Sequence, residues 1–130
     1  MPEGDRRAVV IHEAECDEGW NTEQHGRVQW RTLFSSDSTP TESLTAGVAE
    51  LGSGDQLKDH RHAPPEVYYL LAGEGVVRID DEEYPVNAGS AVFIPGNAVH
   101  GIRNAGRAVL RLLYVFAADS FREVAYDFSK

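Results

Sequence analysis

The residues best equipped for chemistry lie in the stretch 54–73, GDQLKDHRHAPPEVYYLLAG. His60, His62 and Glu66 fall within seven positions there, and all three side chains are good metal ligands. Side chains at i and i+2 of a strand point to the same face, so an extended segment brings both imidazoles to one point in space. Ala63-Pro64-Pro65 follows, and two prolines fix φ and remove two backbone donors, which predicts a turn delivering Glu66 to the start of the next strand. Glu66 and Tyr68 then share a face. Imidazole nitrogen with carboxylate oxygen suits one divalent first-row ion: Fe, Mn, Ni, Co or Zn. A second cluster, GSAVFIPGNAVHGIRN over 89–104, runs through a turn and an apolar strand to His100, the natural fourth ligand.

These groups need a scaffold, and the chain reads as all-β. Candidate strands fall at 28–34, 44–51, 56–62, 67–72, 75–79, 83–86, 91–94, 99–103 and 108–116, with Gly, Pro, Asn or Asp at nearly every junction. That spacing predicts a sandwich or barrel. The N-terminal region offers only a short apolar run at 8–11, then an acidic stretch to Glu18 that reads as loop or one helical turn. No repeat or linker interrupts the chain, and 130 residues make one domain, 1–130, large enough to bury roughly two thirds of its unfolded surface.

Composition narrows the function classes. With 21 acidic against 12 basic residues and a net charge of −9, the surface repels phosphate backbones and anionic lipid, so neither nucleic acid nor membrane is an expected partner. Cys16 is the one cysteine, which excludes an internal disulfide and points to a reducing compartment. The first twenty residues carry Glu3, Asp5, Glu13, Glu15, Asp17 and Glu18 without a long apolar run, unlike a secretory signal. The longest apolar stretch, 108–118, is broken by Arg111 and too short to span a bilayer. The expected location is the cytoplasm.

Other reactive-looking residues have plainer readings. Asp80-Asp81-Glu82-Glu83 lacks the Gly-punctuated spacing of a calcium loop and reads as a solvated hairpin tip. Cys16 has no adjacent His, Lys or Arg to lower its pKa. His12 and His25 lie outside any ligand-spaced group and read as surface or loop histidines.

Together the two clusters resemble the cupin superfamily, whose motifs are G-x5-H-x-H-x3-4-E-x6-G and G-x5-P-x-G-x2-H-x3-N. Gly54, His60, His62, Glu66 and Gly73 match the first. Gly89, Pro95, His100 and Asn104 match the second, with Asn97 in place of its inner Gly. The resemblance implies a small jelly-roll β-barrel holding one divalent metal on His60, His62, Glu66 and His100. Gly26-Arg27-Val28-Gln29-Trp30, the His60-to-Tyr68 pattern, Gly96-Asn97-Ala98 and the tail from Phe116 through Phe121 and Val124 to Tyr126 further resemble the small cupin-type dimethylsulfoniopropionate lyases. That likeness implies Tyr68 as base and Tyr126 in the active site. The chemistry it implies is β-elimination from a small carboxylate substrate, whose sulfonium is held by the faces of Trp30 and Tyr126. The alternatives are a redox cupin with the same ligands, such as a dioxygenase or an oxalate decarboxylase, and a non-catalytic or sugar-directed small-molecule-binding cupin. A homodimer is expected, with 28–34 joining a neighbour's sheet.

Overall fold

The computed structural model describes residues 8–16, 18–120 and 124–129. Glu3, Asp5, Asp17 and Phe121, which figured in the sequence reading, lie outside the described residues. Ten strands form one curled antiparallel sheet: β1 (Glu18–Thr22), β2 (Gly26–Phe34), β3 (Thr45–Leu51), β4 (Gln56–His60), β5 (Glu66–Ala72), β6 (Glu74–Ile79), β7 (Glu82–Asn87), β8 (Ala91–Ile94), β9 (His100–Asn104) and β10 (Leu110–Phe116). Their order is β7-β6-β9-β4-β2-β3-β10-β5-β8, with β1 paired to β2. No helix among the described residues is long and apolar enough to cross a membrane.

Alternation builds the interior. In β10, Leu110, Leu112, Tyr114 and Phe116 are buried while Arg111, Leu113 and Val115 are half-exposed. In β5, Glu66, Tyr68 and Leu70 point inward and Val67, Tyr69 and Leu71 point outward. The inward rows join Val28, Trp30, Ala49, Leu51, Val77, Ile94 and Ile102 in one core. Gly73 ends β5 at φ +83, where an added Cβ would stand 2.6 Å from the Val109 carbonyl oxygen, so this motif position needs glycine for backbone shape and for space.

Two expectations require correction. The strand predicted over 56–62 stops at His60, and His62 lies in the loop that follows, because Ala63-Pro64-Pro65 bends the chain immediately beyond it. A strand that sequence reading missed, β1, pairs with β2 from Glu18↔Trp30 to Thr22↔Gly26. The segment 28–34, expected to join a neighbour's sheet, pairs within the chain with β3 over Gln29–Phe34 and with β1 only as far as Trp30.

The acidic tip is a turn: Ile79 pairs with Glu82 across Asp80-Asp81, whose φ angles of 47° and 73° are those of a type I′ hairpin. Asp81 pairs with Arg78 and Glu83 with Arg103. The acidic N-terminal stretch holds a single 3-10 turn, Glu13–Glu15, capped by the His12 ring and tied to the sheet through ion pairs of Glu13 with Arg31 and Arg111. The run 8–11 lies in no strand.

Candidate metal centre and cavity

His60 ends β4, His100 opens β9 directly opposite it, and His62 comes from the loop between β4 and β5. All three imidazoles are buried, and one ligand nitrogen of each lies within 4.8 Å of the others. Glu66 opens β5 and completes the group, its Oε1 3.2 Å from His62 Nε2 and 3.3 Å from His100 Nε2. The four residues singled out in the two motifs therefore converge, although His62 arrives by a loop rather than by strand periodicity.

Backbone carbonyls aim the rings. His60 Nδ1 donates to Lys58 O at 2.7 Å, His62 Nδ1 to Pro64 O at 2.9 Å and His100 Nδ1 to Ala98 O at 2.9 Å. A carbonyl accepts only, so each Nδ1 carries a hydrogen, and Nε2 is the nitrogen each ring turns inward to offer a ligand lone pair. The double proline thus does more than turn the chain, since its first carbonyl fixes the tautomer of His62. His62 O in turn accepts from the backbone N–H of Asn97 at 2.8 Å, joining the loops of the two motifs. Asn97 holds φ 65°, the left-handed conformation its replacement of glycine requires.

Lone pairs facing a carboxylate repel unless a cation or protons lie between them. The Nε2 atom of His100 is buried without a hydrogen-bond partner while facing Glu66 Oε1. A divalent ion removes both defects at once, and three Nδ1-anchored imidazoles with one carboxylate are a donor set suited to first-row divalent metals.

Burial first, then the charge of His100, pushes His60 well below the usual imidazole range. The unfolded chain therefore takes up its proton first, near pH 6.5, while folded His60 stays neutral to lower pH. Its contribution to stability is complete above about 6.5 and is lost as pH falls from there toward the folded value. Metal-free protein is expected to melt at progressively lower temperature between about pH 7 and 5, and His60→Asn to show a shallower slope over that range. Equal slopes in a fluorimetric melting series would contradict this.

Beside the four ligands lies a cavity of ≈ 40 Å³ bounded by Trp20, Trp30, His60, Glu66, Tyr68, Tyr114 and Tyr126, with aliphatic side chains between them. Tyr68 is buried on the same face as Glu66, as expected, with its ring 6.4 Å from that of His100. Burial, and then the Glu66 charge, push the Tyr68 phenol well above its usual range, and the same two causes act in the same order on Tyr126. The protein groups by themselves thus keep both phenols protonated. Tyr126 packs against His60 at 5.2 Å and His62 at 5.1 Å. Trp30 reaches the site through Trp20, whose ring meets Trp30 at 4.6 Å and Tyr126 at 5.2 Å.

Sequence reading missed Trp20, Tyr114 and Phe128. Trp20 lies on the missed strand; Tyr114 hydrogen-bonds to Thr32 Oγ1 at 3.0 Å inside a strand read as plain core; Phe128 lies 5.0 Å from His60. His25 is not an ordinary loop residue: its ring stacks on Trp20 at 4.6 Å. Cys16 is half-buried and forms no disulfide.

A family model described as Cupin domain matches residues 47–116, which takes in all four converging ligands and most of the sheet. The chain is a cupin. Among similar proteins, the dimethylsulfoniopropionate lyase DddW of Ruegeria pomeroyi is 44% identical over 105 residues, 81% of this cupin and 68% of that protein. An oxalate-binding protein of Thermotoga maritima is 30% identical over 91 residues, 69% of this cupin and 75% of that protein. A predicted oxalate decarboxylase from the same organism superposes with a TM-score of 0.75 at 26% identity, covering 85% of this cupin and 99% of that chain.

Proposed function

We propose that this cupin is a lyase that cleaves dimethylsulfoniopropionate to dimethyl sulfide and acrylate. The observation that supports this best is a cavity walled by His60, Glu66, Tyr68, Tyr114, Tyr126 and two tryptophans, with His62 and His100 grouped beside His60 and Glu66. The 44% identity to a dimethylsulfoniopropionate lyase adds the substrate. His60, His62, Glu66 and His100 would hold one divalent ion, of the set Fe, Mn, Ni, Co and Zn. When bound, such an ion supplies positive charge that engages the substrate carboxylate and offsets the negative charge developing on it.

The chain's own groups account for the rest. The Tyr68 oxygen, once its own proton has been given up to solvent, takes the proton from the carbon next to the carboxylate and so returns to the neutral phenol. That electron pair becomes the C2–C3 double bond, and the C3–S bond breaks with its electrons on sulfur, giving acrylate and dimethyl sulfide. A positioned base of this kind contributes about 10²–10⁴ in rate. Tyr68 starts protonated, with burial and the Glu66 charge holding it so, and a cation neutralising Glu66 removes the second of those obstacles. Tyr126 orients the substrate or passes on the proton. Trp30 and Tyr126, joined by Trp20, face the sulfonium and hold it by cation–π attraction.

One observation favours a second reading, carboxylate binding without turnover: the 30% identity to an oxalate-binding protein. Acrylate formed without oxygen uptake supports the lyase. Oxygen consumption by the iron-loaded protein supports a redox cupin, and tight oxalate binding without either supports a binding protein.

The reading further takes 1–130 as one cytoplasmic domain that pairs as a homodimer. Support for the pair comes from the outward face of β5 and the edge strand β8, where Val67, Tyr69, Leu71 and Phe93 are each 39–64% exposed and Phe93 stands opposite Val67. An apolar row of this kind on a chain of net charge −9 offers a second copy a contact free of like-charge repulsion. Light scattering at micromolar concentration should give twice the chain mass for wild type and the chain mass for Phe93→Glu. A wild-type monomer contradicts the pair.

A further inference from the structure

The cavity beside the ligands measures ≈ 40 Å³, well under the roughly 300–1,000 Å³ of an ordinary small-molecule pocket. Some wall must therefore move for a ligand to enter. Val28 and Trp30 on β2, Ala49 and Leu51 on β3, Tyr68 on β5 and Leu112 and Tyr114 on β10 are held in sheet ladders, so displacing any of them breaks several backbone hydrogen bonds together. The C-terminal segment 124–129 is held differently.

Val124 anchors this segment in the core. Beyond it, Tyr126 and Phe128 stack on each other with an interplanar angle of 15°, and each tilts 35° against the His60 ring, at 5.2 and 5.0 Å. Phe128 also meets His25 at 4.5 Å and Trp20 at 5.5 Å. Between the two rings, Asp127 joins Arg61 in a lone antiparallel bridge, exchanging both backbone hydrogen bonds at 2.8 Å. The side chains add an ion pair of 3.9 Å between groups 47% and 49% exposed, a weak surface interaction. Arg61 is the residue between the two histidines of the first motif. This bridge thus ties an aromatic strap over the imidazoles to the ligand loop itself.

We infer that residues 125–129 are a gate: the Arg61–Asp127 bridge latches Tyr126 and Phe128 over His60, and ligand enters when the bridge opens and the strap pivots about Val124. Arg61 and Asp127 are then positioning residues, touching no substrate and setting how long the strap stays closed. The inference rests on the reading of this cavity as the ligand and metal site. It does not require the substrate to be dimethylsulfoniopropionate.

The test locks the latch. Residues that exchange both backbone bonds across an antiparallel pair have Cα atoms about 5.5 Å apart, within disulfide reach. Arg61→Cys with Asp127→Cys, in a Cys16→Ser background, is loaded with zinc and then oxidised, and zinc transfer to a chromogenic chelator is timed. Oxidation is expected to slow release at least tenfold, with the fast rate restored by a phosphine reductant. Asp127→Ala provides a second, metal-free arm. The two tryptophans of the chain, Trp20 and Trp30, both line the cavity, so unlatching should raise the quenching of tryptophan fluorescence by neutral acrylamide at least twofold. Equal zinc release from oxidised and reduced protein would overturn the latch. So would wild-type quenching in Asp127→Ala. Because neither arm needs turnover, a working latch in a protein that makes no dimethyl sulfide would refute the lyase and leave the gate standing.

Discussion

Tyr68→Phe is expected to keep its fold and full metal content while turning over dimethylsulfoniopropionate at least about 10²-fold more slowly, with the loss in kcat. Tyr68 is 3% exposed in the middle of β5, opposite Tyr114 on one side and Val92 on the other. Phenylalanine fills almost the same volume there, so no cavity opens and no strand shifts. The hydroxyl is outside the proposed ligand set, so metal content should not change. What is lost is the one group placed both on the Glu66 face and in the cavity wall, which is why substrate binding should change far less than kcat. Tyr126→Phe is the control. Its ring keeps its contacts with His60 and His62, so a smaller loss there assigns the hydroxyl to orientation or proton relay. Near-normal turnover by metal-replete Tyr68→Phe would take Tyr68 out of the mechanism and give the base role to Tyr126.

His60→Ala with His100→Ala should reduce bound divalent metal to less than about a tenth of an ion per chain, measured by elemental analysis after loading and desalting. The two imidazoles are opposite each other across β4 and β9, with ring centroids 4.3 Å apart, and both are almost fully buried. Their removal leaves His62 and Glu66, and two donors hold an exchangeable ion poorly. A second readout separates lost affinity from lost fold. Saturating wild type at 100 times Kd stabilises it by about 2.7 kcal/mol, whereas the double variant should gain nothing from the same metal. The two metal-free proteins should melt cooperatively by the same probe. Full occupancy in the double variant would place the ion elsewhere.

The convergence of His60, His62, Glu66 and His100 was legible in the sequence because each of the two clusters that supply them is local. Gly54, Gly73 and Gly89 all sit at positive φ, and Asn97 does so in place of the motif glycine, so turn chemistry alone marked the corners between which the histidines fall. The inward row of β5 was legible by simple alternation, which put Glu66 and Tyr68 on one face. The route of His62 was not. A run of alternating residues looks like strand until two prolines end it, and the carbonyl that fixes the ring belongs to the turn. Trp20 escaped because Glu-Gly-Trp-Asn-Thr has neither alternation nor β-branched bulk beyond its last residue, and β1 exists only because β2 offers it a partner. The C-terminal strap was equally hidden. Its one backbone bridge joins positions 61 and 127, and no local pattern announces a pairing at that separation.

The central claim, that this cupin performs β-elimination on dimethylsulfoniopropionate at the four-ligand site, is tested most directly in a sealed vial. Purified protein carrying one divalent ion per chain is mixed with dimethylsulfoniopropionate, the headspace is assayed for dimethyl sulfide and the solution for acrylate. The account predicts the two products in equal amounts, from wild type and not from the His60→Ala, His100→Ala variant. Metal-replete wild type that releases neither product, with each divalent ion of the set tried in turn, would contradict it.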